Sequence, residues 1–318
     1  MAITTIKPDF GGQGFVLPFL GQAFSTPLLE AAKTRNVGLD QFFYDVGALT
    51  PAEVDRLVAE TNREGSILVV FPKGAHGADS IDKYEDYQTL RAQPGKLLSR
   101  FSIAGVGSSD LGAAALARNL ADHYQEPVGA IVAGYGFADL MKEGLGGWYY
   151  LGTHNRLMHR LNEWQASGRQ PLVQFTAAQE PRIAKVAKST WGITGSADTD
   201  ALIRLLLDED RQMQTLLGHS KGCLSIAAAL AVLARFGTQT ARDKARAVRV
   251  ITTGAVVAMP DGFRNVVQFL GGWDWFGAMN SRRSLPYEEI PCAWHHVNTA
   301  ITFHMSIPKV LECADQLS

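Results

Sequence analysis

From Arg100 onward the chain repeats one pattern: a short, largely apolar run, a glycine-bearing turn, then an alanine-rich or amphipathic stretch of helical length. RFSIAG runs through VGSSDLG into AAALARNLADHY, which Glu126-Pro127 closes before VGAIVAGYG. Later QTLLGHS precedes GCLSIAAALAVLARF, and VRVITTGAVV, VVQFLGG and CAWHHVNTAI read as further strands before a last helix, IPKVLECADQL. Strands apolar on both sides must be covered on both faces. Strand–helix–strand units with short links close as parallel pairs with a right-handed crossover. The expected fold class is therefore α/β: three layers, a mostly parallel central sheet with helices on both faces.

Two stretches break the rhythm. Residues 1–97 form an N-terminal segment of unclear role, read as extra strands and helices of the same domain. Within it Thr50-Pro51-Ala52-Glu53 opens a helix, with Thr as N-cap, Pro in the first turn and Glu reaching back. Gly65 stops that helix, and SILVVF reads as a buried strand. DKYEDYQTLRAQPG is polar and reads as helical. Residues 137–197 hold GLGGWYYLG and the SGRQP turn, and read as a cap or lid inserted into the 98–318 core; the plainer alternative is a packed surface excursion.

A formal net charge of −1 over 318 residues leaves no basic field for nucleic acid or an acidic membrane surface. Three cysteines with no CxxC spacing form neither a disulfide framework nor a structural zinc site. No run of 18 apolar residues spans a membrane. The first residues lack the basic end and apolar stretch of a signal peptide, so a cytoplasmic location is expected, a trimmed secreted form being the alternative. GVGSSDLG resembles a phosphate-cradling loop, but it matches neither GxxxxGK[ST] nor GxGxxG. No metal and no organic cofactor is expected.

One pentapeptide carries chemistry. Gly218-His219-Ser220-Lys221-Gly222 is a G-x-S-x-G pattern with a strand before it and a helix after it. There the serine stands on a strained turn, and the glycines remove side chains that would strike the neighbouring strand and helix. The alternative is an ordinary structural turn or helix cap. In this setting residues 98–318 resemble the α/β-hydrolase superfamily in its lipase and esterase branch.

The resemblance implies a Ser, Asp/Glu, His triad in that chain order. Ser220 is the expected nucleophile. Asp274, just past the VVQFLGG strand, is the expected acid, against Asp261 in a Pro-Asp-Gly turn. For the base WHHVNTAITFH offers three histidines: His304, directly before the final helix, is preferred, His296 is the runner-up and His295 comes third. The oxyanion donors implied are the backbone N–H groups of Lys221 and Val106, with PKGAHG (72–77) as a rival loop for the second. Trp148, Tyr149 and His219 are expected to contact substrate.

The expected activity is that of a serine esterase or lipase acting on a small-molecule or lipid-like ester, polyesters included, with an apolar acyl part. An acyltransferase or thioesterase on the same triad is the alternative. A non-catalytic binding module of the same fold is the alternative of another class.

Overall fold

The computed structural model describes residues 38–60, 62–75, 80–93, 98–105, 108–133, 196–236 and 239–317. Val106, Trp148, Tyr149 and nearly all of the 137–197 insertion lie outside them.

The chain is α/β, with one eight-stranded sheet in the order β2-β1-β4-β3-β5-β6-β7-β8. Its strands are β1 (Ile67–Val70), β2 (Ile81–Tyr84), β3 (Arg100–Ile103), β4 (Val128–Ile131), β5 (Thr215–His219), β6 (Arg249–Thr253), β7 (Val266–Gly271) and β8 (Glu288–Ile290). From β4 to β8 every neighbouring pair is parallel. β1 runs antiparallel to both β2 and β4, so the N-terminal part of the chain completes the same sheet at one end.

The helices are α1 (Pro51–Ala59), α2 (Tyr87–Arg91), α3 (Asp110–Tyr124), α4 (Ala197–Leu207), α5 (Lys221–Phe236), α6 (Gln239–Ala247), α7 (Trp275–Met279) and α8 (Ile307–Gln316). Alternate residues of each strand feed opposite faces of the sheet. In β1, Ile67 and Val69 join one buried cluster with Leu202 and Leu206 of α4 and Ile226 and Leu230 of α5. Leu68 and Val70 join the other, with Leu57 of α1, Leu111, Leu116 and Leu120 of α3, and Val310 and Leu311 of α8. Each such side chain contributes roughly 2 kcal/mol by leaving water, which is what holds three layers together.

α1 starts as its sequence dictates. Thr50 Oγ1 accepts from Glu53 N, and Glu53 Oε2 accepts from Thr50 N at 2.8 Å. The other oxygen of Glu53 meets Arg118 Nη2 of α3 at 2.7 Å, a fully buried ion pair that ties α1 to the core.

Two local expectations change. DKYEDYQTLRAQPG supplies the edge strand β2 and only the short helix α2. CAWHHVNTAI is not a strand. The last strand is Glu288–Ile290, and residues 291–306 form an irregular loop closed by Trp294 N donating to Phe303 O and Met305 N donating to His296 O. Edge position explains both: a strand that needs no burial on both faces can be as polar as EEI.

Candidate active site

The parallel strands β3, β5, β6 and β7 all end at the same side of the sheet, and the loops that leave them converge there. β5 runs directly into α5 through Ser220, which adopts φ 53°, in the left-handed region that a side chain rarely occupies. The turn is held by Ser220 N donating to Thr253 O at 2.9 Å and Cys223 N donating to Ser220 O at 3.0 Å. Both flanking glycines are sterically required. A Cβ on Gly218 would sit 2.9 Å from Cys223 N, and one on Gly222 would run into the carbonyl oxygen of Ile103 on β3.

Asp274 caps α7, its Oδ1 accepting from Gly277 N at 2.6 Å. Its other oxygen, Oδ2, lies 2.7 Å from His295 Nδ1, and His295 Nε2 lies 3.0 Å from Ser220 Oγ. A carboxylate only accepts, so Nδ1 carries the proton. Nε2 is then the lone pair that accepts from the Ser220 hydroxyl. Asp274 and His295 are 1% and 3% exposed, while Ser220 is half-buried and reachable. The Phe276 ring stands edge-on to the His295 ring at 4.8 Å, shielding it from solvent.

The preferred base of the sequence reading is displaced. His304 donates from Nδ1 to Ile301 O at 2.7 Å inside its own loop, and His296 Nε2 donates to Thr302 O at 3.1 Å. Burial pushes the His296 imidazole below its ordinary range. The histidine between Asp274 and Ser220 is His295. Burial alone does not single it out, since His296 is 2% exposed and His295 3%.

His219 also departs from expectation. Its ring is 1% exposed and engaged at both nitrogens, with Nδ1 3.0 Å from Tyr44 Oη and Nε2 2.9 Å from His295 O. Burial, reinforced by the neighbouring His295, pushes its pKa down to about 3, so it is neutral and faces no substrate. Tyr44 itself went unnoticed in the sequence, lying in the stretch that the resemblance does not reach.

Lys221 is the first residue of α5, next to Ser220, and its side chain is turned away into the core. Its ammonium lies 3.6 Å from Asp198 of α4. Cys223, three residues past the serine, is a packed thiol that burial pushes up to about 12, with Sγ donating to Thr253 O. Asp261 lies in a turn with Gly262 at φ 99°.

Among the described residues, no three His, Cys, Asp or Glu side chains come together to hold a metal, and no helix is long and apolar enough to cross a membrane. No family model, curated protein or solved structure matches the chain.

Proposed function

We propose that this protein is a serine hydrolase of carboxylic esters with an apolar acyl part, built on an α/β-hydrolase-like core. The observation that carries the reading is the relay Asp274 Oδ2–His295–Ser220 Oγ, at 2.7 and 3.0 Å, with the serine held at a positive φ between a strand and a helix. Three groups in that order are what nucleophilic acyl transfer needs. A strained serine backbone clustered with a buried acid and base is a costly arrangement for a mere turn.

In this reading His295 Nε2 takes the Ser220 proton as Oγ attacks the acyl carbon. Asp274 holds Nδ1–H and stabilises the imidazolium that forms. The tetrahedral oxyanion receives the N–H of Lys221, at the positive end of α5. Collapse passes the proton from His295 to the departing alkoxide and leaves the acyl-serine. Water activated by the same imidazole then releases the acid and regenerates the serine.

The apolar acyl preference rests on the surroundings. Trp273 and Trp275 flank Asp274 and are 54% and 61% exposed, and Phe303, also exposed, packs on Trp273 at 4.9 Å. Apolar side chains left in water beside the candidate acid suit an apolar ligand.

Labelling with a fluorophosphonate, wild type beside Ser220→Ala, tests the chemistry, and p-nitrophenyl esters of graded chain length test the substrate class. Ser220-dependent labelling and turnover are expected. A folded wild-type protein that neither labels nor turns over any ester would leave residues 216–224 as a structural turn and the fold as a binding module.

A further inference from the structure

We infer that Tyr44 is a positioning residue for this site, acting through His219 on the backbone that carries His295; the inference rests on the esterase reading above. Hydrogen-bond chemistry fixes the direction of the network. His295 O can only accept, so His219 Nε2 carries its proton. The buried ring is neutral, which leaves Nδ1 as a lone pair. Tyr44 Oη–H must therefore donate to Nδ1. Its own lone pair accepts Gly105 N–H at 2.5 Å.

One directed chain, from Gly105 N–H through Tyr44 and His219 to His295 O, thus joins the loop after β3, the serine turn and the histidine loop. The Tyr44 hydroxyl has a single proton, committed to His219. Tyr44 is for that reason not an oxyanion donor, although it lies beside Gly105, whose added Cβ would touch the Ser220 Cβ at 3.1 Å.

Its neighbours grip the same loops. Phe43 O accepts from Val297 N at 2.7 Å, Gln41 O accepts from Asn298 Nδ2 at 2.6 Å, and Asp45 Oδ2 accepts from Thr299 Oγ1 at 2.7 Å. Asp40 Oδ2 accepts from Ser109 N at 2.9 Å. Residues 40–45 therefore clamp the histidine loop and the start of α3. Tyr44 places the only side chain of this clamp that reaches His219 among the described residues. The irregular loop 291–306 has no sheet to fix it, and the position of His295 depends on such clamps.

The test is Tyr44→Phe, which keeps the ring and removes the hydroxyl, read in three ways. In 15N spectra of the imidazoles, the His219 Nδ1 signal of the folded protein should move, a readout that needs no activity. Turnover of p-nitrophenyl butyrate should fall roughly 10- to 100-fold with KM within about twofold, as a slightly misplaced base requires. Combined with His219→Gln, which retains a donor toward His295 O and loses the Nδ1 acceptor, Tyr44→Phe should cost little more.

Unchanged kcat in a wild type that labels with fluorophosphonate would overturn the inference and leave the esterase reading standing. So would losses that multiply in the double variant, because Tyr44 would then act through Gly105 alone. A wild type that does not label would sink the esterase reading, while the 15N shift would still judge the Tyr44–His219 bond. If Tyr44→Phe fails to fold, the His219→Gln protein alone decides: a roughly 10- to 100-fold lower kcat with KM within about twofold supports the link through Nδ1, and kcat near wild type overturns it.

Discussion

At the scale of single residues, the three histidines of the last loop separate cleanly by what they bond. His295 touches both Asp274 and Ser220, whereas His296 and His304 spend a ring nitrogen each on loop carbonyls. His295→Ala is accordingly expected to reduce kcat about 10³-fold or more, and His304→Ala to leave it within about threefold; steady-state rates on one short ester decide this, and the opposite ranking would return the base to His304. Ser220 was legible in the sequence because its turn is a local problem: one strand, one helix and two glycines that steric contact demands. Asp274 was legible because it directly follows a recognisable strand. His295 was not, since an irregular loop has no period from which to read the inward side. Tyr44 and His219 meet across 175 positions of sequence. No local pattern announces that contact.

At the scale of elements, the largely apolar strands β3 to β7 could be read directly, because burial on both faces narrows the sequences that fit. β2 and β8 were missed for the converse reason: IDKY and EEI lie at the two ends of the sheet, where charge is tolerated. The antiparallel direction of β1 was equally illegible, since a four-residue apolar run is the same read either way.

The start of α3 holds a testable element-scale effect. Buried Asp40 receives Ser109 N and the Ser109 hydroxyl, and burial pushes its pKa up to about 7 against those donors. A carboxyl raised from 3.8 stabilises the fold fully below about pH 4, and that contribution fades as pH rises through about 7. Asp40→Asn lacks it at every pH. The stability gap between wild type and Asp40→Asn should therefore shrink by roughly 2–3 kcal/mol between pH 5 and pH 8. Urea unfolding at the two pH values measures it, and a gap that stays constant would show that Asp40 is ionised throughout.

At the scale of the whole molecule, apolar surface is distributed unevenly. Seven large apolar side chains are exposed among the described residues, and five of them (Phe42, Trp273, Trp275, Met279 and Phe303) lie on the clamp, on α7 or on the loops that carry Asp274 and His295. Phe42 stands edge-on to Trp294 at 5.7 Å, and Trp273 packs on Phe303. Folding alone does not require them, because an exposed ring contributes little to stability. If they receive the acyl chain, the cost of losing one should grow with chain length. Trp275→Ser is therefore expected to raise KM for p-nitrophenyl octanoate about fivefold, the worth of roughly 1 kcal/mol of apolar contact. KM for the acetate and the thermal midpoint should barely move. Equal effects on acetate and octanoate would mean that Trp275 shapes α7 and the Asp274 cap, and the apolar acyl preference would then lose its structural support while the Ser220 chemistry kept its own.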